Sequence, residues 1–417
     1  MKTVTKSIKK LHSHIFSPIR NFLKDSRAVG VILIACTIIS LLLSNIQVTQ
    51  TAYLGFWQAE THLSNSFIHL PENNLAWIND VLMVFFFFLV GMEIKRELTI
   101  GELASVRKSL LPVLGALGGM VCPAIIFALF NSGTPFHKGW GIPMATDIAF
   151  SLGVLSLLGK RVPVQLKIFL AALAIIDDLG AVITIAVFYT STLNFIYLLC
   201  GAGLLTLIIL FNRFNVVKPV FYLVPGLLLW YCIFNSGVHA TVAGVMIAFA
   251  MPLASLARLE NLLHKPVNFI IMPLFALANT AILLPADFSV AFTSTISFGI
   301  MLGLIIGKPI GIFLFSFIAT RLKIAALPSH TNYKQLLAVG MLGGIGFTMS
   351  IFTSTLAYSQ EALQVISKVS IISASLVAAF AGYIYFRKLK PVTLPQTEQE
   401  VITENEQFEP VLEPVLQ

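Results

Sequence analysis

Two adjacent aspartates, Asp177 and Asp178, stand in the middle of an apolar run that extends from about Ile168 to Phe188. A run of about 20 apolar residues is long enough to cross a membrane as a helix. An ionisable side chain at that depth costs at least ~3 kcal/mol, and such residues usually lie on an ion or proton path. The alternative, a pair on a solvated helix end, conflicts with the apolar residues on both sides. The pair therefore predicts a buried site for cations or protons.

Other apolar runs contain the few remaining ionisable residues that lie far from a membrane surface. Of the 19 acidic residues, Asp147 is the other one well inside a run, whereas Asp80 lies near the start of its own. Lys308 has about ten apolar residues on either side, which is too deep for a lysine that only reaches to the surface. Pairing or protonation makes such groups tolerable in hydrocarbon, so we expect Lys308 and the three aspartates to converge.

Two of the apolar runs contain residues that interrupt helices. One has Pro143 shortly before Thr146 and Asp147. The other has four glycines within seven residues, Gly340, Gly343, Gly344 and Gly346. Proline removes a helix donor and glycine weakens a helix by about 1 kcal/mol, although glycine also allows close helix packing in membranes. Interrupted helices in corresponding positions of two halves are typical of transporters built from inverted repeats.

The composition places these runs in a membrane. Hydrophobic residues make up 57% of the chain and charged residues only 11%, with a mean hydropathy of +0.88. Soluble domains carry about 25% charged residues. The four cysteines have no CxxC spacing and lie in apolar runs, so we interpret them as core residues rather than disulfides or metal ligands. We predict an all-α polytopic membrane protein.

The basic residues predict how the chain crosses the membrane. We count twelve apolar runs, near residues 28–45, 75–92, 110–130, 140–158, 167–189, 195–211, 217–234, 239–252, 267–284, 297–318, 336–357 and 366–386. All 27 lysines and arginines fall on the side of the N-terminus except Lys138, Lys368 and Lys308. In membrane proteins the cytoplasmic loops carry an excess of lysine and arginine. The distribution of the basic residues therefore indicates twelve transmembrane helices with both ends cytoplasmic, and the net charge of +8 does not indicate a nucleic-acid partner.

The regions outside the spans complete the predicted organisation. Residues 1–27 are a basic cytoplasmic N-terminus, and residues 28–386 form the twelve-helix domain, whose first helix we interpret as retained rather than as a signal peptide. After Lys390 come six glutamates, four prolines and no basic residue, which predicts a disordered acidic tail over 391–417. The longest external loop, 46–74, is a candidate short hairpin and a candidate contact in a homodimer.

Several motifs resemble the NhaA family of sodium/proton antiporters, in register from about residue 75 to residue 386. They are Gly91-Met92-Glu93-Ile94-Lys95-Arg96-Glu97-Leu98, Met144-Ala145-Thr146-Asp147-Ile148-Ala149-Phe150, Leu173 to Ala181, Gly237-Val238-His239-Ala240-Thr241, Gly307-Lys308-Pro309 and Gly344-Ile345-Gly346-Phe347-Thr348-Met349-Ser350. The resemblance implies a bacterial inner-membrane antiporter, not an enzyme, that exchanges cytoplasmic Na⁺ or Li⁺ for external protons without a cofactor. It also implies an inverted repeat of helices 3–5 and 10–12 in which helices 4 and 11 are interrupted.

The resemblance also assigns roles to the buried residues. Asp178 is the principal cation ligand, and Asp177 is its partner, which can pair with Lys308. Thr146 and Asp147 lie at the interruption of the fourth span. Asp147 and Lys308 offset the like helix ends that meet there.

Regulation by pH is implied for charged residues at cytoplasmic helix ends, namely Glu93, Arg96, Glu97 and Glu260. The family often has a histidine directly after the last of these, whereas this chain has Asn261 there, with His264 three residues further on. His239 begins its span and is the other candidate, because histidine titrates near neutral pH. We favour a packed, hydrogen-bonded histidine at that position over a sensor.

The residues support exchange chemistry independently of the family. Sodium and lithium take oxygen ligands, which carboxylates, a threonine hydroxyl and freed backbone carbonyls provide. Burial and a neighbouring carboxylate both favour the protonated form, so the coupled pair Asp177 and Asp178 can hold either protons or a cation. The alternatives are a proton-coupled carrier of a small organic solute, which needs a roomier polar cavity, and an intramembrane aspartyl protease. Adjacent residues on a helix point about 100° apart, so the pair cannot form a protease dyad.

Overall fold

The structure, a computed structural model, describes residues 26–389 except 65–67, 191, 286–291 and 330. This part of the chain is helical and contains no β-strand. Residues 1–25 of the predicted N-terminus and the whole predicted tail, 391–417, lie outside the described residues. The predicted all-α class is confirmed.

We number the helices in chain order. They are α1 (Ser26–Asn45), α2 (Gln47–Gln58), α3 (Asn74–Thr99), α4 (Val106–Asn131), α5 (Ile148–Leu157), α6 (Val164–Phe188), α7 (Phe195–Arg213), α8 (Val220–Phe234), α9 (Thr241–Ala250), α10 (Leu253–Asn279), α11 (Thr295–Arg321), α12 (Tyr333–Gly343), α13 (Phe347–Ala357) and α14 (Glu361–Lys388). A 3₁₀ segment, His137–Met144, precedes α5. Single π-helical stretches, Ile78–Leu82, Val267–Ile271 and Gly303–Gly307, lie within α3, α10 and α11.

The described helices are those of a polytopic membrane protein. Nine of them are long and apolar enough to cross a membrane, if the 3₁₀ segment and α5 count as one. The pair α12 and α13 is a tenth candidate, with a bend of 47° between its halves. The helices α8 and α9 are apolar but shorter, with 15 and 10 residues.

The external loop 46–74 differs from the predicted hairpin. Its first part is the helix Gln47–Gln58, and only one antiparallel bridge, between Glu60 and Asn73, forms among its described residues. The helix contains no proline or strong turn signal, and Trp57 anchors it in the core. The sequence of this helix mixes polar and apolar residues, so it has no continuous apolar run that would distinguish it from a loop.

The ninth span also begins earlier than its predicted start at residue 267. The helix α10 starts at Leu253 and is amphipathic over its first turns, where Leu256 and Leu259 are buried and Arg258 is exposed. An apolar stripe among charged residues is typical of such a helix at the edge of a protein core. The predicted cytoplasmic loop before the span is therefore helical, which gives Glu260 a fixed position.

A close crossing of α4 and α11 carries Lys308 into the core. A Cβ atom at Gly118 would overlap the carbonyl oxygen of Gly311, and one at Gly311 would overlap the carbonyl oxygen of Gly118. Only glycines allow the two backbones to approach this closely. Lys308 lies three residues before Gly311 and is fully buried.

Candidate ion-binding site

Two interrupted helices cross at the centre of the protein, at the two positions that the sequence predicts. The 3₁₀ segment ends at Met144, residues 145–147 are extended, and α5 begins at Ile148. The helix α12 ends at Gly343 and α13 begins at Phe347. The interruptions contact each other directly, because the Asp147 amide donates to the Ile345 carbonyl over 2.7 Å.

Two serines tie the halves together in a reciprocal way. Ser151 of α5 donates to the carbonyl of Leu342, near the end of α12, over 2.9 Å. Ser350 donates to the Ile142 carbonyl over 2.7 Å. Each serine is the fourth residue of its half-helix, and each binds a carbonyl near the end of the other interrupted helix. Neither charge nor spacing distinguishes these two serines in the sequence.

Asp147 lies where two helix N-termini meet. Its Oδ1 accepts from the Phe150 amide over 2.9 Å and so caps α5. Its Oδ2 accepts from the amide of Thr348, over 3.1 Å, and from the Thr348 hydroxyl, at the start of α13. Helix N-termini carry partial positive charge, which a carboxylate offsets. The structure thus places Asp147 where the resemblance implies, and adds Thr348 as its second partner.

Lys308 and Thr146 lie where the two helix C-termini meet. The Lys308 ammonium donates to the Met144 carbonyl at the end of the 3₁₀ segment. The Thr146 hydroxyl lies 3.0 Å from the Gly343 carbonyl at the end of α12 and 2.7 Å from Asp177 Oδ2. The same Asp177 oxygen forms an ion pair with Lys308 Nζ at 3.1 Å. The positive ammonium therefore offsets both a helix C-terminus and a carboxylate.

Asp178 differs from Asp177, because it lines a cavity and forms no ion pair with Lys308. The cavity has a volume of about 160 Å³ and is lined by Asp178, Asp147 and Thr348 at its inner part. Glu93 and His264 also line it, and His264 is exposed. The cavity therefore connects the exposed His264 of α10 and the partly exposed Glu93 of α3 with a carboxylate that is almost completely buried.

One oxygen of each paired aspartate lacks a hydrogen-bond donor. Asp177 Oδ1 and Asp178 Oδ1 are buried, and no described residue binds them. A buried carboxylate oxygen is costly unless a proton or a cation compensates it. No three His, Cys, Asp or Glu side chains among the described residues form a ready metal centre. A cation at this pair would therefore complete its ligands with hydroxyl or carbonyl oxygens, as an alkali ion does.

The predicted regulatory residues fall into separate places. Arg96 forms an ion pair with Glu260 of α10 and a second one with Glu97, at 3.3 Å. We call Arg96, Glu97 and Glu260 the Arg96 cluster. Glu93 forms no ion pair with any described residue and lines the cavity instead. The structure therefore divides the four predicted residues between a charge cluster and the approach to Asp178.

His239 lies away from both the cavity and the Arg96 cluster. Its Nε2 is 3.4 Å from Asp80 Oδ1, and its Nδ1 is 2.8 Å from the hydroxyl of Thr241. Its ring packs edge-on against Phe352, with centroids 5.2 Å apart. It stands at the beginning of α9, whereas Lys95 binds the backbone carbonyls at the end of α9. This is the packed, hydrogen-bonded histidine that the sequence favours.

The comparison with known families identifies the chain. The Na⁺/H⁺ antiporter 1 family matches residues 20–386. The chain belongs to this family. Among its relatives, the Na⁺/H⁺ antiporter NhaA 2 of Flavobacterium johnsoniae is 48% identical over 373 residues, which cover 87% of this chain and 91% of that protein.

Two further antiporters of the family have similar sequence identity to this chain and similar coverage. The NhaA of Cytophaga hutchinsonii is 46% identical over 393 residues, 92% of this chain and 98% of its own. The NhaA of an Enterobacter species is 47% identical over 374 residues, 88% of this chain and 96% of its own. The resemblance that the motifs indicate is confirmed, and this antiporter family is one of membrane transporters.

Proposed function

We propose that this protein exchanges cytoplasmic Na⁺ or Li⁺ for external protons, for sodium extrusion and pH homeostasis. Its relatives are named Na⁺/H⁺ antiporters. The observation that carries the proposal is the pair of buried oxygens without donors, Asp177 Oδ1 and Asp178 Oδ1, because Asp178 also lines a cavity that reaches exposed residues. A proton or a cation can compensate these oxygens, but not both at once. Competition between them gives exchange when the site opens alternately to the two sides.

The contacts suggest different roles for the two aspartates. Asp178 faces the cavity and is the first carboxylate that an entering cation meets. Asp177 is held by Lys308 and Thr146 and joins the cation when these contacts loosen. Movement of the interrupted helices, whose ends Asp147 and Lys308 offset, changes the exposure of the site. Both ions use the same carboxylates, which couples their movements.

We also propose the complete topology. If α8 and α9 cross the membrane as well, they bring the nine long helices and the bent pair to twelve spans. An inverted repeat would relate α4 to α6 with α11 to α14, and the equivalent positions of Ser151 and Ser350 support it. The distribution of lysine and arginine supports an inner-membrane protein with cytoplasmic N- and C-termini.

The size of the cavity favours a small ion over an organic solute. Its volume of about 160 Å³ is below the ~300–1,000 Å³ of cavities that bind organic ligands. Its ionisable lining consists of carboxylates and one histidine, without arginine to hold a charged solute. A proton-coupled solute carrier therefore finds no support at this site.

Everted membrane vesicles test the proposal. In vesicles with an acid interior, addition of NaCl or LiCl should dissipate the pH gradient, whereas choline chloride should not. Asp178→Asn keeps the shape of the side chain but removes its charge, so it should abolish the response at every pH. Asp80→Asn is the matched control, because it makes the same change in a span outside the crossing, and it should remain active. Sodium-driven exchange by Asp178→Asn would contradict the proposal.

A further inference from the structure

Two adjoining cavities form a groove at the end of the protein where α14 terminates. Their volumes are about 410 and 470 Å³, and they share Arg107, Ala326 and Leu327. We call the combined surface the Arg107 groove. It lies between the start of α4, the start of α6 and the connection from α11 to α12.

The Arg107 groove combines free positive charge with an apolar floor. Arg107 and Lys323 are exposed, and neither side chain makes an ion pair or hydrogen bond with a described residue. Lys108 is different, because it pairs with Glu102 at 3.2 Å. Buried leucine and phenylalanine side chains form the floor, namely Leu103, Leu111 and Phe169. A matching occupant carries acidic groups next to apolar ones.

The end of α14 lies close to this groove. The Arg161 guanidinium donates to the Arg387 carbonyl over 3.0 Å, which holds the last turn of α14 against the turn before α6. Gln165, four residues after Arg161 and in the first turn of α6, already lines the groove. An extended chain spans roughly 3.3 Å per residue, so about ten residues beyond Lys390 reach roughly 33 Å. The segment that follows α14 can therefore reach every part of the groove.

That segment has the matching chemistry. Residues 391–417 contain six glutamates and no lysine or arginine. Apolar residues alternate with these acids, as in Phe408-Glu409-Pro410-Val411-Leu412. We propose that residues 391–417 dock in the Arg107 groove, with glutamates on Arg107 and Lys323 and apolar side chains on its floor. This docking is independent of the ion that the protein carries.

The position of the groove gives the docking a structural consequence. Phe169 in its floor lies on α6, about two helical turns before Asp177. Leu327 lies on the connection between α11, which carries Lys308, and the interrupted helix that starts with α12. A docked segment therefore contacts the elements that carry the ion-binding site, and it links the end of the chain to them.

Cross-linking in the full-length protein tests the docking. The native cysteines are replaced by serine, Ser329→Cys and Gln407→Cys are introduced, and the protein is placed in phosphatidylcholine nanodiscs. A short bis-maleimide should then form an intramolecular cross-link, which mass spectrometry quantifies. Arg107→Glu with Lys323→Glu should lower its yield several-fold, since each surface ion pair contributes up to about fivefold. Photo-cross-linking from benzoylphenylalanine at Leu327, with the native cysteines present, should give the same dependence.

Matched controls separate the groove from charge in general. Arg213→Glu with Lys218→Glu makes the same charge change at the end of α7 and on the connection that follows it, and it should leave the yield unchanged. Glu404→Lys with Glu406→Lys and Glu409→Lys should abolish the cross-link in the parent groove and restore it when Arg107→Glu and Lys323→Glu are also present.

Three results would overturn the docking. They are the absence of a cross-link in the parent, an equal loss in the control at Arg213 and Lys218, and a loss of the cross-link in nanodiscs of phosphatidylglycerol. The last result would show that lipid headgroups, and not residues 391–417, occupy the Arg107 groove.

Discussion

The crossing of the interrupted helices and the Arg96 cluster use the same chemistry in opposite surroundings. In the crossing, the side chains of Lys308 and Asp177 are both 0% exposed. In the cluster, the side chains of Arg96 and Glu260 are 41% and 11% exposed. Charges near the surface are screened by salt beyond about 8 Å, whereas buried charges interact strongly. The buried ion pair therefore stabilises the crossing, whereas the ion pair of the Arg96 cluster can only shift the equilibrium between conformations.

The partners of the charges sharpen this difference. In the crossing, Asp147 accepts from the Phe150 amide and Lys308 donates to the Met144 carbonyl, and no other described side chain binds these two backbone groups. In the cluster, water can replace a lost side chain of Arg96 or Glu260. We therefore expect substitutions in the crossing to change transport and stability strongly, and those in the cluster to move the pH dependence.

The largest effect among the following variants is expected for Lys308→Ala. It leaves Asp177 and the end of the 3₁₀ segment without their buried positive partner, and removing one member of a buried pair costs about 3–5 kcal/mol. The purified protein should melt at a clearly lower temperature, and the pH profile of exchange should shift. Lys308→Arg keeps the charge and should be milder.

Lys368→Ala provides the matched control for this prediction. Lys368 is also a buried lysine in a long helix, but it lies on α14 and makes no contact with the paired aspartates. Its removal should leave the pH profile of exchange unchanged. Equal melting temperatures and equal transport in Lys308→Ala and the parent would show that Lys308 does not compensate the aspartates.

A smaller effect is expected for Thr348→Val, which removes the hydroxyl that donates to Asp147 but keeps the backbone donor. A hydrogen bond to a charged group contributes about 1.5–3 kcal/mol. The apparent sodium affinity should fall and the melting temperature should decrease. Thr353→Val is the control, because the Thr353 hydroxyl binds a carbonyl of its own helix over 2.9 Å. An equal fall in sodium affinity in both variants would remove any specific role of Thr348.

Thr348 also shows where sequence reasoning ends. The ionisable residues of the crossing could be found because aspartate and lysine are rare within apolar spans, and rarity at membrane depth is itself the signal. Threonine is common there, since its hydroxyl can bind the carbonyl of its own helix, as in Thr353. Only the bend between α12 and α13 turns Thr348 towards Asp147. A threonine two residues after the last glycine of an interruption is the one available signal.

The boundaries of the helices were less predictable than their existence. The spans were found from continuous apolar runs, but α2 and the start of α10 mix polar and apolar residues and resemble loops in composition. Their helical form depends on a narrow apolar stripe, such as Leu256 and Leu259, which packs against the core. The partner of Glu260 therefore also depends on tertiary structure, because Arg96 lies on a different helix.

A still smaller effect, confined to pH dependence, is expected for Glu260→Gln. It breaks the ion pair with Arg96 but leaves the crossing intact. A change of ~1.4 kcal/mol moves a conformational equilibrium tenfold, so the midpoint of exchange against pH should move by a measurable fraction of a unit. Maximal exchange should remain close to that of the parent. Glu102→Gln, which breaks the exposed pair with Lys108, should leave the midpoint in place.

The sodium concentration separates this effect from competition at the aspartates. Under the proposed function protons and sodium compete for Asp177 and Asp178, so more sodium should displace protons more easily and move the midpoint to lower pH. A tenfold increase corresponds to at most about one pH unit for one-for-one competition. A midpoint that follows Glu260 but ignores sodium would make the Arg96 cluster the sensor. A midpoint that follows sodium but ignores Glu260 would leave the aspartate pair as the whole response.

The smallest effect is expected for His239→Ala. The His239 ring binds Asp80 and Thr241 and packs on Phe352, at the end of α9 opposite the Arg96 cluster. Loss of these contacts should lower the melting temperature, because a packed ring is removed, while the midpoint of exchange moves less than in Glu260→Gln. His239→Gln retains a group that can bind Thr241 and should recover part of the stability. If the charge of the ring were the sensor, both substitutions and Asp80→Asn would move the midpoint at fixed sodium concentration. Measuring the three variants beside Glu260→Gln decides between them, because a packing role lowers stability without moving the midpoint.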